Sequence, residues 1–356
     1  MFTYKSIFNK IVQGRRLKKD DQILGDIPFI MAGTTNAGVV NHISNPVASF
    51  PGNSITVDIF GNVFYRDFDF GAGDDTGVYW NDEKDYSKEA MLFFAISMEK
   101  SLSGIFSFGN KLRSSQSLDF KIQLPIKNNK IDFEFMESFI AELEAQRIAE
   151  LEAYLLASGL MDYTLTVEEQ KSLDDFEKMK FEEFNVIDVF DVKNTGNILS
   201  SNIIKDSGKT PYLCASAENN AVSSYITYDE KYLENGKCIF IGGKTFVVTY
   251  QEKDFYSNDS HNLNLYLKNE KKRSRLNQLY LATCINKSLG YKYSWGDSIS
   301  KGKIQTDKVS LPTQNKQPNY TIMETFISAI QKLVIKEVVL YADRKTATTK
   351  NVVNEN

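Results

Sequence analysis

Met323-Glu324-Thr325-Phe326-Ile327 restates, with one hydroxyl residue exchanged for another, a phrase found 187 residues earlier as Met136-Glu137-Ser138-Phe139-Ile140. The likeness extends N-terminally from both copies. Lys121-Ile122-Gln123-Leu124-Pro125 matches Lys308-Val309-Ser310-Leu311-Pro312, and the stretch 91–112 matches 278–299 at the same offset of 187. Within that stretch Lys100-Ser101-Leu102 recurs as Lys287-Ser288-Leu289, and Ser107 and Gly109 recur as Ser294 and Gly296. Further upstream, 27–44 aligns without gaps to 210–227, pairing Pro28 with Pro211, Asn36 with Asn219 and Ile43 with Ile226. A long internal repeat decides architecture before any local signal does, because each copy is one structural unit. The chain is therefore read as two similar modules.

Within each module the order of signals is the same. A short apolar run, a small polar loop and a second run predict strand, loop and strand over 27–44 and 210–227. SITVDIFGNVFYRDFDF (54–70) is dense in β-branched and aromatic residues and broken at Gly61-Asn62. It predicts a strand–turn–strand unit, as does 238–256, broken at Gly242-Gly243. A helix and an aromatic, glycine-containing loop are expected over 91–112 and 278–299. The result is an α+β chain with a mixed β core and helices in each of two tandem, pseudo-symmetric modules.

The phrase that opens the final helix also starts an apolar stripe. Met323, Ile327, Ile330, Val334, Val338 and Tyr341 recur at helical spacing, and Met136, Ile140, Leu143, Leu151 and Tyr154 match them in the first copy. Arg147 interrupts the first stripe. Such stripes pack a helix on its own module or on another helix. Two equivalent stripes in one chain suit an antiparallel coiled-coil pair. Roughly 25 helical residues at about 1.5 Å each span on the order of 37 Å, close to one DNA turn of about 34 Å. Between the copies, 166–184 begins with the capping sequence Thr166-Val167-Glu168-Glu169. Its partial apolar face is Leu173, Phe176 and Phe184, as expected of a linking helix.

The chain has 356 residues, 42% hydrophobic and 12% aromatic, which suits about two packed domains and not disorder. No apolar run is long enough to span a membrane, and the first residues lack the uninterrupted apolar core of a signal peptide. The three cysteines, Cys214, Cys238 and Cys284, are widely spaced and suggest neither disulfides nor zinc, so a reducing cytoplasm is the expected setting. A net charge of −4 argues against a polyanion partner only on average. By segment the net charge is +1 over 1–130, −11 over 131–184, +5 over 185–320 and +1 over 321–356. The acidic deficit lies in the spacer and the second module is basic, and domain-level charge is the quantity a polyanion meets.

No constellation reads as a catalytic or metal centre. His42 and His261 are placed in loops and lack a serine, cysteine or carboxylate partner at a convincing spacing. Asp82-Glu83-Lys84 and Asp229-Glu230-Lys231 resemble the tail of a nuclease site without its upstream acid and read as charged turns. Gly71-Ala72-Gly73 lacks the rest of a dinucleotide loop, and Asn45-Pro46-Val47-Ala48 only begins like an amino-methyltransferase tetrapeptide. What remains is polar and basic loops. In the first module the candidates are Arg15, Arg16, Lys18, Lys19, Thr34, Thr35, Asn36, Asn110, Lys111, Arg113 and Ser114. In the second they are Ser216, Asn219, Ser223, Ser224, Lys301 and Lys303, with Lys271, Lys272, Arg273 and Arg275 as a basic cluster. Asn can read adenine, Arg and Lys can read guanine, and scattered cations neutralise phosphates. Taken singly these residues also suit ordinary solvated loops. As a set repeated in both copies they suit a binding face. A rival is a tandem carbohydrate- or peptide-binding module, in which Tyr291, Tyr293 and Trp295 would stack on sugar. A hydrolase would need clustered carboxylates or histidines that are not found.

The tandem modules, NSITVDIFGNVFYRDFDFGAGDD (53–75) and the helix ending each module resemble the DNA specificity subunit of type I restriction–modification enzymes, including the compact subunits of BcgI-like type IIB systems. The likeness covers about residues 20–342. It implies a first target recognition domain over 1–131, a helical spacer over 132–184, a second recognition domain over 185–319, a helix over 320–345 and a flexible tail over 346–356. It also implies a non-catalytic subunit that reads one half of a bipartite, asymmetric duplex DNA site with each domain. Methyltransferase subunits, or fused nuclease–methyltransferase chains, would dock on its helices and hold S-adenosylmethionine and magnesium, neither of which this chain would bind.

Overall fold

The computed structural model describes residues 1–354 except Pro46 and Ala48, with side chains described up to residue 347. The Asn45–Ala48 tetrapeptide thus lies partly outside the described residues. The chain divides into two compact units, unit 1 with residues 1–153 and the end of the chain from Lys345, and unit 2 with Tyr154–Arg344.

Unit 1 contains strands β1 (Lys10–Gln13), β2 (Leu24–Ile30), β3 (Val39–Ile43), β4 (Ser49–Phe50), β5 (Ser54–Asp58), β6 (Val63–Arg66), β7 (Phe70–Ala72) and β8 (Thr76–Trp80), then helices α1 (Lys88–Leu102) and α2 (Phe133–Ala157). Antiparallel β1-β8-β5-β6 forms one sheet, and β3-β2-β7-β4, with β2 and β7 parallel, forms the other. Every residue of β5 is buried because the strand is covered on both faces. Ile55 and Val57 face Phe94 and Met98 of α1. Val78 of neighbouring β8 packs with Phe50 and Phe70 of the second sheet. Ile55 and Val57 alternate with Ser54, Thr56 and Asp58, which are buried with hydrogen bonds to the Pro51 and Phe64 carbonyls and from the Gly33, Phe60 and Asn62 amides.

Unit 2 repeats this plan. Its elements are α3 (Val167–Asp174), β9 (Phe181–Asn185), β10 (Phe190–Asn194), β11 (Thr210–Leu213), β12 (Val222–Ile226), β13 (Cys238–Ile241), β14 (Val248–Gln251), β15 (Tyr256–Ser257), β16 (Leu263–Leu267), α4 (Arg275–Leu289), β17 (Lys308–Gln314) and α5 (Tyr320–Asn354). The sheets run β10-β16-β13-β14 and β12-β11-β15, with β11 and β15 parallel. Ser87 and Ser274 cap α1 and α4 equivalently, each side chain accepting from the third residue on. Met136 and Met323, the first residues of the repeated phrase, are both fully buried in the cores beneath these helices.

Four sequence expectations change. Residues 166–184 are not one helix. α3 stops at Asp174, a single turn covers Phe176–Lys178, and β9 then pairs antiparallel with β17. The final helix runs on to Asn354, past the expected end at 345, so the polar tail continues the helix. His42 sits within β3, not in a loop. The apolar stripes are buried only at their starts. Met323, Ala329, Val339 and Ala342 are buried on α5, whereas Ile330, Val334, Val338 and Tyr341 are exposed, Val334 at 72%. Leu143 and Tyr154 are exposed likewise. Small alanines, which a hydrophobic-stripe reading discounts, define the buried face.

Candidate nucleic-acid interface

In unit 1 the chain leaves β2 and turns through Asn36, Ala37 and Gly38, all with positive φ (48°, 50° and 82°). A left-handed alanine costs roughly 1–2 kcal/mol and needs fixing by its surroundings. Arg66, buried on β6, supplies this. Its Nη2 donates to the Ala37 carbonyl at 2.5 Å and its Nε to Thr56 Oγ1 at 3.0 Å. Burial lowers the Arg66 pKa to about 10, so it stays charged at neutral pH. Asn36 Nδ2 donates to the Val39 carbonyl at 3.3 Å, which closes the turn and pushes Thr34 and Thr35 outward.

Unit 2 builds the same turn from other residues. Asn219, Asn220 and Ala221 have φ of 46°, 52° and 68°. Gln251, at the strand position matching Arg66, donates to the Asn220 carbonyl at 3.0 Å, and Asn219 Nδ2 donates to the Val222 carbonyl at 3.0 Å.

Other loops gather at the same end of each unit. The buried Asp58 carboxylate accepts from the Gly33, Phe60 and Asn62 amides at 3.0, 2.8 and 3.0 Å, tying the β2–β3 turn to the β5–β6 turn. Asn262 does related work in unit 2, accepting from the Gly243 amide at 3.0 Å. The loop after α1 joins through Leu112 N–H to the Ile59 carbonyl at 2.9 Å, and its counterpart through Ile299 N–H to the Gly243 carbonyl at 3.1 Å. Arg113 and Gln13 both donate to the Asp74 carbonyl, at 2.7 and 3.0 Å. The GAGDD stretch thus orders the loops through its backbone.

Past each helix a tight hairpin projects. Ser107 and Asn110 exchange backbone hydrogen bonds, as do Ser294 and Asp297. The tips carry Phe108, 82% exposed, and Trp295, 79% exposed. Lys111 Nζ lies 4.7 Å over the Phe108 ring. Lys303 is held by Asp297 at 2.5 Å, which reduces the charge it offers.

The structure therefore brings Thr34, Thr35, Asn36, Asn110, Lys111 and Arg113 together, with Arg15 anchored beside them through its amide to Ala72; Arg16 follows it, exposed. In unit 2 the turn holding Ser216 and Asn219 meets the β13–β14 turn through Thr245 Oγ1 donating to the Ala215 carbonyl at 3.0 Å, and Lys301 and Lys303 follow Ile299, whose amide bonds the same turn at Gly243. Other candidates do not join these sets. Ser114 and Ser224 are buried, and Ser224 accepts from the Asp206 amide at 3.0 Å. Ser223 is exposed in mid-strand on β12. Lys18 and Lys19 adjoin a short turn whose Asp21 carbonyl accepts from Asn45 at 2.8 Å, beyond the other end of β3. Lys271, Lys272, Arg273 and Arg275 lie at the far end of β16, where Arg273 donates to the Leu267 carbonyl at 2.7 Å. Four strand steps of ~3.3 Å put them about 13 Å from the Asn262 end. Arg66, Asp58 and Phe108 escaped sequence reading. A charged residue inside the apolar run Val63–Arg66 was the available signal for the first.

The rejected motifs have local partners. Asp82 accepts from Asn9 at 2.6 Å, and Asp229 from the Lys231 amide at 3.0 Å. His261 does have a carboxylate neighbour, Asp259 Oδ1 at 2.7 Å from Nδ1, yet no hydroxyl or thiol bonds its other nitrogen among the described residues. Tyr293 is buried and donates to Asp307 at 2.6 Å, so Tyr291, Tyr293 and Trp295 form no shared sugar platform. Among the described residues no group of three metal-ligating side chains occurs, and no helix is long and apolar enough to cross a membrane.

The family model described as type I restriction modification DNA specificity domain matches residues 1–153 and 178–340, one match per repeat. The type II restriction enzyme BgcI specificity subunit S.BcgI of Heyndrickxia coagulans is 30% identical over 148 residues, 40% of this chain and 42% of that protein. The match thus spans about two fifths of the relative's length. The crystal structure of a type I restriction–modification S subunit from M. genitalium superposes with a TM-score of 0.57 at 14% identity, covering 99% of this chain and 93% of the other, a likeness of fold.

Proposed function

The chain belongs to the type I restriction–modification DNA specificity domain family, and from that premise we propose that its two units read the two halves of an asymmetric duplex DNA site through their loop ends. One observation carries this reading. The backbone turn is the same in both units, held by Arg66 in one and Gln251 in the other, while the exposed side chains it presents differ. Thr35 is replaced by Glu218, Phe108 by Trp295, Asn110 by Asp297 and Lys111 by Ser298. A shared frame with unequal readers suits a target whose halves differ, which an identical dimer does not.

In this reading the loop cations neutralise phosphates and position the unit, and the polar tips contact base edges. Helices α2 and α5 pair antiparallel and set the gap between half-sites. Their exposed residues Ile330, Val334, Val338 and Tyr154 dock methyltransferase subunits or fused nuclease–methyltransferase chains. Those partners carry S-adenosylmethionine and magnesium and act on an adenine turned out of the duplex. This chain contributes recognition and no bond-making step.

The test is selection from a random duplex library by the chain copurified with its partner. The expected result is a two-part motif with a fixed gap. Enrichment of a single undivided motif, or none, overturns the reading.

A further inference from the structure

In unit 2 the turn between β11 and β12 is pinned from several sides and presents one acidic side chain. Its entry is held by Thr245 on the Ala215 carbonyl and by the Asn258 amide, which donates to the Leu213 carbonyl at 3.1 Å. Its crest is held by Gln251 on the Asn220 carbonyl and by Asn220 Nδ2, which donates to the Tyr250 carbonyl at 3.0 Å. Ser216 Oγ accepts from the Glu218 amide at 3.2 Å, which fixes the backbone that carries Glu218. The Glu218 side chain is exposed, and its carboxylate takes part in no hydrogen bond or ion pair among the described residues.

Carboxylates on the neighbouring loops are neutralised. Asp259 meets Lys244 at 2.8 Å and His261 at 2.7 Å, and Asp297 meets Lys303 at 2.5 Å. Glu218 is thus an unpaired anion at the loop end of a module whose net charge is +5 over 185–320. Such an anion repels phosphates, so on a turn that faces DNA it is costly unless the bases offer it a donor. Thr35, at the matching position of unit 1, carries a hydroxyl that both donates and accepts.

We propose that Glu218 reads a cytosine in the half-site of unit 2, its carboxylate accepting from the exocyclic N4 amine in the major groove. The inference rests on the DNA reading above and names a base within it. Cytosine and adenine both present an amine in that groove, but adenine sets the N7 acceptor beside it, whose lone pair repels a carboxylate. Guanine and thymine present only acceptor oxygens and nitrogens or a methyl group there. A side chain that can only accept therefore selects cytosine, whereas the hydroxyl of Thr35 imposes no such choice on the other half-site.

The experiment repeats the random-duplex selection, with the chain copurified with its partner, for wild type, Glu218→Gln and Thr35→Glu. Both positions are exposed, so the variants should fold as wild type does. Glu218→Gln sets a donor beside the acceptor. It should reduce the preference for cytosine at one position of one half-site about ten-fold and admit adenine there, leaving the other half-site unchanged. Thr35→Glu should create a cytosine preference in the other half-site. A motif that Glu218→Gln leaves unaltered, with binding to every duplex strengthened alike, overturns the assignment while the two-part reading stands, since the carboxylate is then only a solvated charge. A change at a base other than cytosine overturns it as well. A wild-type selection without a two-part motif overturns the DNA reading, and this inference with it.

Discussion

Arg66 holds Ala37: the guanidinium of a buried strand residue donates to the carbonyl of a left-handed alanine 29 positions earlier, at 2.5 Å. Gln251 holds Asn220 in the other unit in the same way. Losing a buried donor to a strained turn costs about 1–3 kcal/mol. Arg66→Ala should lower stability by that amount in urea unfolding and weaken recognition of one half-site only. Arg66→Gln should restore part of both, because the natural second copy uses that side chain. Equal losses at both half-sites would contradict the assignment.

The hairpin tips should act on DNA without supporting the fold. Phe108 and Trp295 touch little in the protein, so Phe108→Ala and Trp295→Ala should leave the melting temperature within about a degree, since surface substitutions shift stability by roughly 0.5 kcal/mol or less. Each should weaken DNA binding about ten-fold, as expected where an aromatic ring stacks on a base. Lys111→Ala should reduce the slope of log affinity against log salt by about one, the signature of one phosphate contact.

The basic cluster makes a contrasting case. Lys271 and Lys272 stand at the far end of β16 from the unit 2 loops. The double change Lys271→Ala, Lys272→Ala should leave the selected DNA motif unchanged in the library experiment. A changed motif would relocate the reading surface.

Residue for residue, the two long helices should separate fold from assembly. Met136→Ala and Met323→Ala each open a cavity in a closed core and should cost about 2–5 kcal/mol. Val334→Asp, at an exposed position, should leave thermal unfolding near wild type while impairing partner assembly in light scattering.

The segment around α3 in unit 2 should loosen in acid. Burial pushes the Glu169 carboxyl up, but hydrogen bonds from Ser328, the Thr166 amide and Lys332 outweigh it, and its pKa lies below the ordinary 4.5. A depressed folded pKa means stability that is present above about pH 4.5 and lost as pH falls through the folded value. Glu169→Gln should therefore lower the melting temperature at pH 7, and its gap from wild type should narrow as the pH falls below 4.5. A constant gap would count against the ionised contact.

Much of the fold was legible because its signals are local. The repeat, the β-branched alternation of β5, the breaks at Gly61-Asn62 and Gly242-Gly243, and the serine-capped helices each follow from neighbours in sequence. The site was legible only in part. Thr34, Asn36 and Lys111 stand where loops of that composition belong, on the surface beyond strand ends. Ser114 and Ser224 have the same composition and are buried, since being polar does not determine which face of a strand or turn a hydroxyl takes.

By itself, then, the sequence determined that one unit occurs twice and that each ends in a helix anchored by a methionine. Periodicity and turn chemistry act over a few residues and survive in both copies. Only the tertiary structure decided that Arg66 supports Ala37, that Asp58 gathers the loops and that Phe176 stacks on Phe326. Those contacts join residues 25 to 150 positions apart. They depend on strand register and packing, which no local pattern of residues specifies.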